Sequence, residues 1–388
     1  MKATTKLAVL VATCSSTWLG AQSSLPAVNL QGTENAAVKY LRADAALRQS
    51  YALAPDAAAK LEKALASPLD EEDEKLVAAA EDALVEFHHA AASKGCDWTM
   101  SDEDGALANT AHRGAITELV AVSGLRARLR FRDGNTPGAI DDALAAIAAA
   151  RHLSVDGSLA SVLFGYKLER TITGVLAQSL LRLSPAQLNE LASGLGALPS
   201  GFSLGTAFES EKVRRNDFLA IVQAAKTRDE LIEQLLKKVP ALQSNKGLAG
   251  EIVDGCGGSI KGFVNCVDQQ QSFYAAWARR FALPPEQFEK TYKGEFEELA
   301  RANPFVRQFT PDLSRFRWAE AYNQTRRALL QAAIAVRLDG PKALNQHPDP
   351  YNKTTFSYIP VDGGFRLESL LREGGIPISL SIVPNSER

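Results

Sequence analysis

Three observations predict a mainly α-helical fold, a multi-helix bundle or irregular α-hairpin solenoid with a small C-terminal β hairpin or three-stranded appendage. Apolar residues recur every three or four positions through most of the 388 residues. Helix-start signals alternate with glycine stops. From His347 onward the pattern changes to prolines, a "DGG" turn and alternating aromatic and β-branched residues.

The first strong helix is "SPLDEEDEKLVAAAEDALVEFHHAAA". Asp70 is its predicted N-cap, and its acidic first turn suits the positive end of a helix dipole. Its apolar positions are Leu76, Ala80, Ala83, Leu84, Phe87 and Ala91. "GALANTAHRGAITELVAVSGLRARLRFRDG" reads as a long helix stopped by Gly134. In "NTPGAIDDALAAIAAARHL", Thr136 is the expected N-cap with Pro137 at the first helical position. "LSPAQLNELASGL" carries a capping box through Ser184 and Gln187. Residues 105–153 resemble a tetratricopeptide-like helix pair, without recurrence at the roughly 34-residue period of such arrays. "TTFSYIP" and "GFRLESL", flanking "VDGG", read as a hairpin, and "IPISLSIV" as a third strand.

At the N-terminus, Lys2 and Lys6 precede an apolar run from Leu7 to Leu19, too short to span a bilayer, and then Gly20-Ala21. This predicts export, with cleavage near Ala21 and a periplasmic or secreted mature chain. A competing reading takes "VATC" as a lipoprotein box with Cys14 lipidated. The expected organisation is a signal peptide at 1–21, a helical domain at 22–340 and a small β tail at 341–388 packed on the helical body. No later apolar run is long enough to span a membrane. The formal net charge of -2 argues against tracking a nucleic-acid backbone.

In an oxidising compartment Cys256 and Cys266 are expected to close "CGGSIKGFVNC" as a disulfide, leaving Cys96 single. "KGCDWTMSDEDG" (94–105) reads as a helix-to-helix corner. Gly95 would end one helix, Trp98 would pin the loop, and Ser101 or Asp102 would cap the next helix.

Catalytic motifs are absent: there is no G-x-S-x-G and no H-E-x-x-H. "GCGGSIKG" lacks the end of a phosphate loop and reads as a turn. Glu86, His88, His89, Cys96, Asp97 and His112 are residue types that bind zinc, but their spacing fits no closed site, so no metal and no cofactor is assigned. Arg126, Arg128, Arg130 and Arg132 step by two, which spreads them around a helix as solvated positions with one or two ion pairs. Trp98, Trp277 and Trp318 read as core or interface aromatics.

The oddest pattern is polar residues on helix seams. One stripe is Val162, Tyr166, Glu169, Thr173, Leu176, Leu180; a second is Leu204, Phe208, Glu211, Arg215, Phe218, Val222; a third is Leu313, Phe316, Glu320, Asn323, Arg327, Leu330, Ile334. Each places a glutamate on the face expected to be buried, where an unpaired carboxylate is costly. Either Glu169, Glu211 and Glu320 pair with Arg215, Arg327 or Arg170 in an internal network, or they line a cleft for acid/base chemistry or ligand binding.

"KGCDWTMSDEDG", "LRARLRFRDGNTPGAIDDALAAIAAARHL" and "SLASVLFGYKLERTITGVL" together resemble a family of uncharacterised exported bacterial helical proteins with a Cys-Asp-Trp element. The tail "DPYNKTTFSYIPVDGGFRLESL" resembles the short β tail of such proteins and is similar to the C-terminus of type II secretion pseudopilins. The long N-terminal stalk helix of a pilin is missing. The resemblance implies a helical fold and envelope export, with no activity to carry over. The function expected is a structural or protein-interaction module whose partner is another envelope protein. The alternatives are a small-molecule or glycan binder in a helical cleft, and an enzyme of hydrolase or lyase type using the inward glutamates.

Overall fold

The N-terminal helices are built by local capping. In this computed structural model, residues 35–50, 60–61, 64–65, 67–98, 111–201, 203–210, 212–239, 242–243 and 245–384 are described, apart from the side chains of 111 and 209–217. The expected signal segment and Cys14 therefore lie outside the described residues. Helix α1 (Ala36–Ser50) starts where the Asn35 side chain accepts the Ala37 N–H. Asp70 and Asp73 form a reciprocal capping box at the start of α2 (Glu71–Ala79). The single helix expected here is two. The backbone leaves helical geometry at Ala80, and α3 (Glu81–Ala91) restarts from it.

The next helices stack as hairpins. Helix α4 (Ala111–Arg132) turns at Gly134, whose φ of 83° only glycine takes readily, into α5 (Thr136–Leu153). The cap of α5 is Asn135, one residue ahead of the expected Thr136, with its side chain on the Gly138 N–H. Ser158 caps α6 (Leu159–Ser179), and Ser184 with Gln187 forms the predicted capping box of α7 (Pro185–Ala197). Helices α5 and α6 meet closely at Gly165, where an added Cβ would stand 2.6 Å from the Ala150 carbonyl oxygen.

Eight further helices follow. Around the second seam the described helical segments are α8 (Leu204–Ser210) and α9 (Lys212–Gln223). Then come α10 (Arg228–Lys238), α11 (Lys246–Gly255), α12 (Ile260–Ala278), α13 (Pro285–Ala302), α14 (Pro304–Phe309) and α15 (Leu313–Asp339). Helix α15 packs on α6, α7 and α13 and supports the sheet. Helices α1–α7 and α15 share one apolar core with the sheet, while α9–α12 with α14 form a second. A third, aromatic core joins α6, α8, α12, α13 and the start of α15 around Trp277, Phe288 and Tyr292.

The C-terminal sheet is antiparallel, in the order β1 (Ser357–Val361), β2 (Gly364–Glu373), β3 (Ile376–Ile382). Helix accounts for 74% of the structure, and the three-stranded tail is the one sheet of named strands among the described residues. The β2–β3 register shifts between Glu368 and Arg372. Buried Asp349 occupies that bulge, accepting from the Ser369 hydroxyl (2.6 Å) and the Leu370 N–H (3.2 Å). The backbone donor that the bulge removes from the ladder is thereby satisfied.

The expected disulfide is not formed. Cys256 and Cys266 are free, buried thiols in the second core, packed with Phe263 and Phe305. Cys256 closes α11, and its N–H bonds back to Ile252 and Val253. The intervening residues are a left-handed Gly257–Gly258 turn, the Ser259 cap and the first turns of α12, so helix caps rather than a covalent link define the loop. Burial first, then the neighbouring Cys266, pushes the Cys256 thiol up to about 12, so it stays protonated.

Candidate functional site: a buried polar seam

Two of the three predicted stripes do face inward, and they face each other. On α6, Glu169 and Thr173 are buried between Val162 and Leu176; on α15, Glu320 and Asn323 are buried between Leu313 and Leu330. Glu169, 2% exposed, is the hub. Its Oε1 accepts from Arg151 Nη2 at 2.8 Å and from Arg327 Nε at 2.6 Å. Its Oε2 accepts from Asn323 Nδ2 at 3.1 Å and from the second arm of Arg327. Burial alone would raise this carboxyl's pKa. Arg327 and Arg151 more than offset it and hold the group below the usual glutamate range. Of the arginines expected here, Arg327 is present. Arg170 instead stacks on Tyr322, with its guanidinium carbon 5.1 Å from the ring centroid. Arg151, from the end of α5, takes its place.

Glu320 makes a second knot one turn away. Its Oε1 accepts the Leu204 N–H at 3.0 Å and the Tyr166 hydroxyl at 3.3 Å, and Arg317 approaches Oε2 at 3.4 Å. Burial and this carboxylate push the Tyr166 phenol upward, keeping it a neutral donor. Arg151 Nη1 also holds the Pro199 carbonyl at 3.0 Å. The seam thus ties α5, α6 and α15 to the 199–204 connection that leads into the C-terminal helices. Glu211 lies outside the described residues, as does the side chain of Arg215, so the third stripe adds no placed charge.

A larger polar hub was missed by sequence reasoning. Asp142 on α5, fully buried, accepts from both the Nε and Nη2 of Arg126, from Arg130 Nη1 at 2.9 Å, and faces His88 Nε2 at 2.8 Å. Arg126 reaches on to Glu81. Arg128, also buried, donates to the Ala64 and Ser67 carbonyls. The arginine row of α4 is therefore mostly a set of internal clamps rather than the solvated positions expected; Arg132 alone matches that reading, pairing at the surface with Asp133 and Glu74. The signal was available: Ala139, Asp142, Ala146 and Ala149 step by 3, 4, 3, the same seam rule that singles out Glu169.

The Cys-Asp-Trp element is a clamp. The last turn of α3 closes at Ala92, so Gly95 is not the helix stop. Instead Gly95 pairs with Asn35 as a β-bridge, and the Asp97 backbone exchanges two bonds with the Asn35 side chain at 2.9 Å each. Trp98 Nε1 donates to the His152 carbonyl at 2.8 Å, and its ring stacks on Tyr40 and His112. Half-buried Cys96 has its thiol pushed up by burial and by Asp97. Ser101 and Asp102 lie outside the described residues.

The residues considered for zinc separate: His88 goes to Asp142, His89 to Glu86 at 3.9 Å, and His112 to Asp156 at 2.8 Å. No three such ligands gather among the described residues. His112, Asp156 and Ser161 do meet, but Asp156 Oδ2 accepts from both others. The aspartate is central, and no contact joins serine to histidine, so this is not the geometry of an activated nucleophile.

Chemically, Glu169 is the satisfied member of the seam. Each of its oxygens has at least two donors, while Glu320 accepts the Leu204 N–H and a phenol on one oxygen and a long arginine contact on the other. A carboxylate so fully engaged as Glu169 orients helices rather than acting as a free base.

Comparison with family models, with curated proteins and with solved structures finds no match to the chain. Fold and seam define a helical-bundle protein with a small C-terminal sheet, its inward charges neutralised internally.

Proposed function

We propose that the chain is an exported structural or protein-interaction module of the bacterial envelope, a rigid helical frame that presents its C-terminal sheet to another envelope protein. The observation that carries this reading is the contrast between interior and tail. The inward glutamates Glu169 and Glu320 are buried and each faces arginine, whereas the C-terminal tail exposes Leu370, Ile376 and Val383, with Ile376 at 73%. Exposed large apolar side chains are otherwise few among the described residues, namely Val85 and Phe164, so three of the five fall on the C-terminal tail. Two prolines, Pro360 in β1 and Pro377 in β3, favour side-chain docking over strand addition at the sheet edges. Among the described residues no helix is long and apolar enough to cross a membrane. The engagement of Glu169 by Arg151 and Arg327 weighs against the enzyme alternative.

The test is photo-crosslinking in cells from position 376, with position 190 on α7 as control. One discrete adduct with an envelope protein from 376 alone supports the reading. Equal labelling at both positions, or none at 376, contradicts it. N-terminal sequencing of the mature protein tests export directly, with Gln22 the expected first residue.

A further inference from the structure

One cavity remains between the helical body and the tail loop. It lies where α15, the Pro284–Pro285 turn and residues 350–353 meet, with a volume of about 270 Å³. Pro285 and Pro350 form apolar walls; Arg317, Gln324, Thr325 and Lys353 supply its polar groups.

Arg317 sets the chemistry. It is more than nine-tenths buried, yet its guanidinium is under-used. Of the five N–H donors a guanidinium carries, Nε serves the Leu283 carbonyl at 2.9 Å and Nη1 approaches Glu320 at 3.4 Å. Nη2 makes no bond among the described residues. Glu320 neutralises Arg317 only partly, because its other oxygen is shared by the Leu204 N–H and the Tyr166 hydroxyl. The Thr325 side-chain hydroxyl, on a residue 1% exposed, likewise has no hydrogen-bond partner among the described residues. Neither atom is a sealed, unsatisfied one, so both are reachable from the cavity with donor capacity to spare.

Lys353 points the same way. It is the only non-glycine residue with positive φ among the described residues, at 65°. A lysine held in the left-handed region is strained relative to glycine. The residue lines the cavity and its side chain is exposed, so its ammonium can reach a ligand bound there. Two acids touch the lining residues from behind: Glu320 on Arg317, and Glu286, which accepts the Tyr351 hydroxyl.

We infer that this cavity binds a small organic carboxylate, its oxygens on Arg317, Thr325 and Lys353 and its apolar body against Pro285 and Pro350. The planar fork of arginine suits a carboxylate, and the proline walls suit a compact apolar body rather than a bare ion. The volume limits the ligand to a small one.

Saturation-transfer NMR on the full chain tests this with three probes: benzoate, its neutral amide benzamide, and inorganic phosphate. Benzoate should bind, with benzamide weaker by about tenfold. Lys353→Gly should relieve the backbone strain, leaving the melting temperature unchanged or higher, while weakening benzoate at least about threefold. Gln324→Trp, at an exposed position on the rim, should block binding with the fold intact. Arg317→Met should abolish it; if that variant does not fold, the other two decide. Equal binding of benzamide, binding by phosphate alone, no binding of benzoate, or wild-type affinity in both Lys353→Gly and Gln324→Trp each overturns the inference. None of these outcomes depends on whether the sheet docks a partner.

Discussion

Arg327 and Glu169, 158 residues apart in the chain, meet across the α6–α15 seam with Arg327 Nε 2.6 Å from the carboxylate. Arg151 completes the pair as a triad from a third helix. Substituting Glu169 with glutamine keeps the shape and removes the charge, leaving two arginines without their anion. Removing one partner of a buried pair costs about 3 kcal/mol or more. Arg327 is partly exposed, so the lower end applies. Glu169→Gln should lower the urea midpoint with an unchanged m-value. An unchanged midpoint would show that the triad holds nothing together.

Asp142 should matter more. It has no exposure and neutralises Arg126 and Arg130 together. Asp142→Asn is expected to cost about 3–5 kcal/mol. Glu81→Gln, which removes the half-exposed outer partner of Arg126, should cost less than about 1 kcal/mol. Measuring both by chemical unfolding separates an Asp142-centred hub from a network with its weight at the surface; equal losses would refute the former.

These two hubs mark what the chain made legible and what it did not. Caps and glycine stops placed most helix boundaries, because those signals act within a few residues. The seam rule found Glu169 and Glu320 because long apolar residues flank them. It passed over Asp142, whose neighbours on the stripe are alanines and so draw little notice, although most of α5 is buried. Partner choice was legible only in part. Arg327 lies on a predicted stripe, but Arg151 reaches Glu169 only because α5 and α6 fold back on each other. Cys256 and Cys266 are close in sequence, which invited a disulfide; the caps that instead shape that turn are visible in Ser259 and the paired glycines.

Acid should weaken the fold in two stages. His152 is buried beside Tyr40 and Trp98, and burial lowers its pKa to about 4. The unfolded chain binds a proton on this residue below about 6.5 while the folded chain does not. Stability from this group is therefore fully present above about pH 6.5 and is lost as pH falls toward 4, by about 3 kcal/mol. Glu169, with its pKa held below the usual range, adds a second loss as pH drops beneath the glutamate range. Urea midpoints from pH 7.5 to 4.5 should fall in the wild type, and fall less in His152→Gln. Parallel curves would rule out His152 as the source.

The approach of α5 to α6 gives a prediction with its control in the same helix. Gly165 and Gly174 both sit in α6, and alanine has the higher helix propensity by about 1 kcal/mol. At Gly174 an added Cβ meets nothing within 4 Å, so Gly174→Ala should stabilise by up to that amount. At Gly165 the same Cβ would stand 2.6 Å from the Ala150 carbonyl oxygen, a backbone atom that cannot swing aside. The two helices must then separate, disturbing the packing beside Glu169 and Arg151. Overpacking of this kind costs about 1–3 kcal/mol, which exceeds the propensity gain. Thermal unfolding should move in opposite directions for the two variants. A rise in melting temperature for Gly165→Ala would mean that α5 and α6 are not in backbone contact there, and that the seam tolerates a wider spacing than its hydrogen bonds imply.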